Sequence, residues 1–121
     1  MNVGDLASKV LPYGAFPRVL GRYVRDLGAL TLEEAIHRMS AVAADEIMAY
    51  DRGRLAPGRV ADVVIFDPNT ICDRATFGEP HLPSEGMRYV IVNGALVIEE
   101  ARYTGAAPGK VLRGPGYRAG N

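Results

Sequence analysis

The side chains best suited to metal binding or nucleophilic catalysis are few in this 121-residue chain, which has two histidines and one cysteine. They are His37, His81 and Cys72, and Asp5, the one acidic residue of the first dozen, is a fourth candidate. Zinc sites usually draw ligands from short spacings such as H-x-H, H-E-x-x-H or C-x-x-C. None of these spacings occurs, so the residues predict no catalytic group and no metal site.

The two histidines have ordinary interpretations. His37 falls in a helical pattern beside Glu33 and Glu34, at the edge of an apolar stripe, which is typical of a partly buried helix residue. His81 follows Pro80 in a proline-rich loop, where capping of the loop or contact at an interface is the commoner role. We therefore expect neither histidine to bind a metal or to act in catalysis.

Cys72 and Asp5 are equally weak candidates. Cys72 has only Arg74 as an activating neighbour in the sequence, so a buried and unreactive thiol is expected. Asp5 is expected at a solvated terminus. The glycines form no phosphate-binding loop.

Three arginines could bind an anion, because Arg18, Arg22 and Arg25 recur at helical spacing on one face. Such a face is more often a solvated surface. The sequence alone therefore does not predict a self-sufficient enzyme, and no cofactor is expected for this chain.

The composition is that of one globular domain, with 48% apolar and 23% charged residues. The formal net charge of +0 gives no electrostatic reason to expect nucleic acid or an anionic membrane as a partner. No apolar run approaches a membrane span, and no signal peptide is expected. A single cysteine fits a reducing compartment, so we expect a soluble cytoplasmic domain.

Two helices are predicted in the first half of the chain. Pro17 suits the first turn of a helix that ends at Gly28. Thr31 and Glu34 fit a capping box, in which each side chain binds the other residue's backbone N–H. The second pattern fades near Tyr50, and it is compatible with one helix or with two separated by a kink. Its predicted buried stripe is Leu32, Ala35, Ile36, Met39 and Val42.

The second half predicts a small β unit. Residues 60–66 are nearly all apolar, which favours a strand covered on both faces. Residues 70–86 form a long loop of the kind that is usually functional or packed against another element. Asn93-Gly94 between two apolar runs predicts a type I′ hairpin, and residues 110–112 are compatible with one further short strand.

These elements predict an α+β fold: two N-terminal helices followed by a small, mostly antiparallel β unit. We expect a loose lead-in over residues 1–12 and a single domain over 13–113, with helices at about 17–50 and the β unit at about 59–113. Residues 114–121 are predicted to be a disordered tail.

Several strings resemble the N-acyl-D-amino-acid deacylases (D-aminoacylases) of the amidohydrolase superfamily. Residues 13–23 (YGAFPRVLGRY) and 73–77 (DRATF) resemble that branch specifically. Pro57-Gly58 with residues 61–67 (ADVVIFD) resembles the superfamily more generally. Pro80-His81, Gly86 and residues 92–94 (VNG) also resemble the deacylase branch. The resemblance as a whole covers about residues 13–113.

The resemblance implies that this chain corresponds to only one part of a larger fold. Family members are several times longer and carry a zinc-bearing (β/α)₈ barrel with a small β domain built from both chain ends. Their zinc ligands and catalytic aspartate precede the region that is similar here, so no active-site residue is carried over. The chain would correspond to the final helices and part of the composite β domain.

Three functions remain open. The first is a C-terminal fragment of a D-aminoacylase-like amidohydrolase that is not catalytic alone and acts as a structural or association module. The second is a subunit or active member of a zinc-dependent hydrolase that cleaves the amide bond of N-acyl-D-amino acids. The third is a small-ligand binding module. Because a partial β domain leaves strand edges open, we expect a homo-oligomer or a barrel-bearing partner chain.

Overall fold

Helix α1 opens the part of the chain that the computed structural model describes, which is residues 14–118. It is α-helical over residues 14–18 and continues as a π-helix over Val19–Asp26. The chain is thus already helical three residues before Pro17, where the helix was predicted to begin. The predicted lead-in, Asp5 and the last three residues lie outside the described range.

Helix α2 begins where its cap was predicted. The Thr31 hydroxyl accepts a hydrogen bond from the Glu34 backbone N–H at 3.1 Å, which confirms the N-cap. The Glu34 carboxylate, however, accepts a hydrogen bond from Arg38 one turn later instead of reaching back. Arg38 lies four residues along the same face and competes for that carboxylate.

Helix α2 has a change of winding rather than a break. It is α-helical over Leu32–His37, π-helical over Arg38–Val42 and α-helical again over Ala43–Glu46. It ends before Tyr50, because Met48 adopts a positive φ of 58° that no right-handed helix accommodates.

Four antiparallel strands form one sheet in the order β1-β2-β3-β4. They are β1 Val63–Phe66, β2 Met87–Val92, β3 Ala95–Glu99 and β4 Arg102–Tyr103. Two helices followed by this sheet confirm the predicted α+β class. Among the helices within residues 14–118, none is both long enough and apolar enough to cross a membrane.

The turn between β2 and β3 is the predicted type I′ hairpin. Asn93 and Gly94 both have positive φ, 49° and 80°. The further strand that residues 110–112 suggested is wrong, because those residues are in no strand. Strand β4 instead forms at Arg102–Tyr103, directly after a second tight turn.

That second turn is strained, because Glu100 and Ala101 have φ of 47° and 64° without being glycine. We expect Ala101→Gly to raise the free energy of unfolding by about 0.5–1 kcal/mol, since glycine adopts this conformation without steric cost. Urea unfolding followed by circular dichroism measures the change. Ala107→Gly is the control, because Ala107 is exposed and lacks a positive φ; an equal gain there would contradict the explanation.

The core is small and is centred on the long loop. Leu20 of α1, Ala35 of α2 and Ile71 of the loop form its buried cluster, and Ile71 is 0% exposed. Phe66 and Met87 pack against it from the sheet. Of the two expectations for residues 70–86, the structure shows a loop packed against other elements.

Several apolar side chains that were predicted to be buried are exposed to solvent in residues 14–118. In α2, Ala35 is buried, but Ile36 and Val42 are exposed despite their place in the predicted stripe. Strand β1 was expected to be covered on both faces, yet Val64 is 50% and Ile65 49% exposed. The strand is an edge strand, so its second neighbour lies nowhere in the described chain.

Candidate functional site

The structure does not gather the predicted candidate residues into one site. His37 is exposed on α2 rather than partly buried, and His81 is exposed on the loop between β1 and β2. Cys72 is half-buried on that loop rather than fully buried. Asp5 is not among the described residues.

Cys72 lies where the long loop closes on itself. Its backbone forms a two-way bridge with Glu85, with N···O distances of 3.2 and 3.0 Å. The Cys72 Sγ lies 3.8 Å from the Glu85 carboxylate, which also pairs with Arg74. The cysteine therefore contributes to the closure of a loop in this structure.

The zinc ion that the family resemblance implies finds no donor set in residues 14–118. Nowhere in that range do three histidine, cysteine, aspartate or glutamate side chains converge as a metal site requires. Several carboxylates in that range are paired with arginines, as Asp73 is with Arg18 and Asp45 with Arg54. The described residues do not fit zinc.

Two of the three arginines of α1, Arg18 and Arg25, contact the long loop, which corrects the expectation of a solvated or anion-binding surface at those two positions. Arg22 is exposed. Arg18 donates to the Asp73 carboxylate from Nε at 2.8 Å and also from Nη2. Arg25 donates from Nη1 to three loop carbonyls, most closely that of Ile71 at 2.7 Å. These contacts fix α1 against the segment that supplies the centre of the core.

A further arginine, Arg52, links the helical half of the chain to the sheet. Arg52 pairs with Asp62 just before β1 and donates to the Asn93 side-chain oxygen at 3.0 Å. Asp62 in turn accepts the Asn93 backbone N–H at 2.8 Å. This network joins the end of the helical half, the start of β1 and the turn between β2 and β3.

An open apolar groove lies between α2 and β1, and it is the candidate functional site. Its volume is about 470 Å³. The α2–β1 groove, as it is called below, is lined by Ile36 and Ser40, by Gly53, Arg54 and Leu55, and by Asp62, Val63, Val64 and Phe66. With the free edge of β1 beside it, the groove can accept an extended chain or an apolar surface far more readily than a reacting substrate.

One ion pair at the rim of the groove shifts a pKa. Arg54 donates to both oxygens of Asp45 at 2.8 and 2.6 Å. This hydrogen bond lowers the pKa of Asp45 below its ordinary value, and the charges of Arg54, His37 and Arg59 act in the same direction. Because the folded-state pKa is lowered, the stabilisation is present above the unfolded pKa and is lost as the pH falls through the folded value.

Replacing Arg54 should therefore release Asp45. We expect the pKa of Asp45 in Arg54→Gln to rise toward its ordinary value, because the variant loses the hydrogen bond and the positive charge. An NMR titration of the Asp45 carboxyl carbon measures the shift. The control is Arg38→Gln, since Arg38 pairs with Glu34; an unchanged Asp45 pKa in Arg54→Gln would contradict the assignment.

The groove was not predicted as a site from the sequence, although signals for it existed. The near-continuous apolar residues 60–66 were interpreted as a doubly covered strand, which is correct only if something else supplies the cover. The exposed position of Leu55 could not be derived, since it follows from how the turn after α2 places that side chain.

Comparisons with known proteins agree with one another. A profile of the Amidohydrolase family matches residues 1–98. N-acyl-D-glutamate deacylase of Alcaligenes xylosoxydans xylosoxydans is 50% identical over 101 residues, which are 84% of this chain and 20% of that protein. The chain thus spans about a fifth of the length of this relative.

Solved structures give the same result. A D-aminoacylase with a binuclear metal centre is 46% identical, with a TM-score of 0.73, over 77% of this chain and 20% of that one. N-acyl-D-glutamate deacylase of Bordetella bronchiseptica, solved with zinc and a phosphonate that mimics the tetrahedral intermediate, is 55% identical, with a TM-score of 0.68. That match covers 69% of this chain and 18% of the other.

Proposed function

Because this chain belongs to the amidohydrolase family, we propose that it is the C-terminal part of a D-aminoacylase-like enzyme, that it has no deacylase activity alone, and that it acts as an association module. Its partner is a second copy or a chain that carries the catalytic barrel. The cytoplasm, where a single thiol stays reduced, is its proposed location.

The use of the polar side chains supports a structural role. The arginines of residues 18 and 25 hold α1 on the long loop, and Arg52 holds the helical half on the sheet. The family-like strings at residues 13–23 and 73–77 meet in one such contact, Arg18 with Asp73. Conspicuous charged residues thus serve the fold of this chain.

The observation that carries the association proposal is the exposed apolar side of β1. Val64 and Ile65, on opposite faces of an edge strand, are half-exposed. Ile36 and Leu55 are exposed and line the groove together with Val64. An uncovered edge with apolar faces pairs readily with another chain, and association removes it from water. A partner at this position completes the sheet and covers the α2–β1 groove.

Zinc content and activity of the purified chain test the catalytic part of the proposal. After purification with zinc present, we expect less than about a tenth of an equivalent of zinc per chain and no release of D-glutamate from N-acyl-D-glutamate, since catalysis would need a bound Lewis acid. The Alcaligenes deacylase serves as the positive control. One tightly bound zinc together with turnover would overturn the proposal.

A zinc-dependent hydrolase formed with another chain is the second candidate, favoured by the relatives, which are named as deacylases. It differs from the first in one result: this chain would restore activity to an inactive barrel-bearing chain. Activity that appears only on mixing would favour this candidate. The cover of the groove would then be the barrel chain.

A further inference from the structure

The charges of this chain are unevenly distributed, although they cancel overall: residues 1–100 carry ten basic residues against all the acidic ones. All 14 acidic residues lie within residues 1–100. Residues 101–121 contain no acid but four basic residues: Arg102, Lys110, Arg113 and Arg118. The last segment is thus positive against a negative body, which is an electrostatic pairing that a second copy supplies.

Within that positive segment, residues 110–113 (KVLR) are exposed and belong to no helix or strand. Every side chain from residue 109 to 118 is exposed, with Val111 at 77%. The sequence is compatible with a short strand over residues 110–112, yet in the described chain those residues belong to no strand. Residues 110–113 are called the KVLR segment below.

A strand edge without a partner is the second feature on which the inference depends. Strand β1 has one edge paired with β2 and, within residues 14–118, no strand on the other. Strand β1 also borders the α2–β1 groove, whose lining is mostly apolar. Its two charged residues, Asp62 and Arg54, are paired with Arg52 and Asp45. A two-residue apolar pair between basic residues suits such a groove, because one side chain of an added strand points into it and the next points away.

We propose that the KVLR segment of one copy adds as a strand to the free edge of β1 in a second copy. The inference rests on the proposed association function and names the two surfaces that carry it. Main-chain hydrogen bonds extend the sheet beyond β1, and Val111 or Leu112 fills part of the α2–β1 groove. Two copies exchange segments reciprocally, so the assembly closes as a dimer.

Cross-linking between single-cysteine variants tests the placement. In a Cys72→Ser background, a Val64→Cys chain is mixed with a Val111→Cys chain under mild oxidation. We expect the mixed disulfide to form at least about tenfold faster than in a mixture of Tyr23→Cys with Val111→Cys, because docking raises the effective concentration of the two thiols. Tyr23 is 46% exposed but does not line the groove.

Equal rates in the two mixtures would overturn the proposal. So would an intramolecular disulfide in the Val64→Cys, Val111→Cys double variant, since the segment would then occupy its own chain's groove. In sedimentation experiments, Lys110→Glu with Val111→Asp should weaken dimerisation by about tenfold. Arg22→Glu, which also reverses an exposed charge, is the control and should leave dimerisation unchanged.

The outcomes separate this inference from the function on which it rests. Dimers without selective cross-linking leave the association function standing and remove the KVLR segment from it. A chain that stays monomeric at every concentration removes the KVLR inference and self-association together, and it leaves a barrel-bearing chain as the partner in the association function. Selective cross-linking supports both.

Discussion

Gly86→Ala should destabilise the chain by about 3 kcal/mol, a large share of the 5–15 kcal/mol that holds a domain together. Gly86 has a φ of +83°, and a Cβ there would lie 2.5 Å from the backbone N and Cα of Ile71. The variant suffers both the strain of the positive φ and a clash with backbone at the centre of the core. We expect the urea midpoint to fall with the slope unchanged.

Gly94→Ala separates the two causes. Gly94 has nearly the same φ, +80°, but a Cβ there would meet nothing within 4 Å. The strain alone should cost about 1–2 kcal/mol. Equal losses of stability in the two variants would contradict the explanation that the absence of a side chain at Gly86 lets its backbone lie against that of Ile71.

Ile71→Ala should cost roughly 2–5 kcal/mol, because Ile71 is the largest fully buried side chain in residues 14–118 and truncation leaves a cavity. The loop that carries it touches α1 through Arg25, so helix and loop should loosen together. Urea unfolding gives the loss of stability, and hydrogen exchange of the α1 amides reports the loosening.

Ile65→Ala is the matched control, since the same atoms are removed from a side chain that is 49% exposed. We expect a loss of about 1 kcal/mol or less in the isolated monomer. A loss as large as that of Ile71→Ala would mean that Ile65 is already covered, and it would contradict the exposure of β1.

The local elements of the fold could be predicted from the sequence because their determinants are local. Asn93-Gly94 specifies its hairpin by the φ values it allows, and Thr31 caps α2 through its own hydroxyl. The α+β class follows from the order of such elements. The π-helical segments carry no comparable local signal.

Most of the predictions that were wrong concern side chains whose partners lie far away in the sequence. Arg18 and Arg25 share a periodic face that is ordinarily solvated, and only the fold brings the loop carbonyls and Asp73 to them. The Glu34 prediction is a local exception, because two nearby partners were possible for its carboxylate and Arg38, four residues along the helix, binds it. The buried stripe of α2 was predicted from the helical spacing of its apolar residues. Ile36 and Val42 are exposed because no other element of the described chain covers them.

The candidate site also depends on the fold more than on local sequence signals. The sequence pointed to His37, His81, Cys72 and Asp5 by their chemistry, and the structure brings no described members of that set together as a metal site. The α2–β1 groove consists of ordinary apolar residues, whose importance lies in their exposure. Exposure of this kind is a property of the folded chain.

Sedimentation velocity of the purified chain across micromolar concentrations tests the central claim most directly. The account predicts a reversible dimer, or a larger closed assembly, that weakens when Val64 is replaced by lysine, because a charge on β1 opposes strand addition. A monomer at every concentration, with or without that substitution, would contradict the proposal that this chain associates with a second copy through β1.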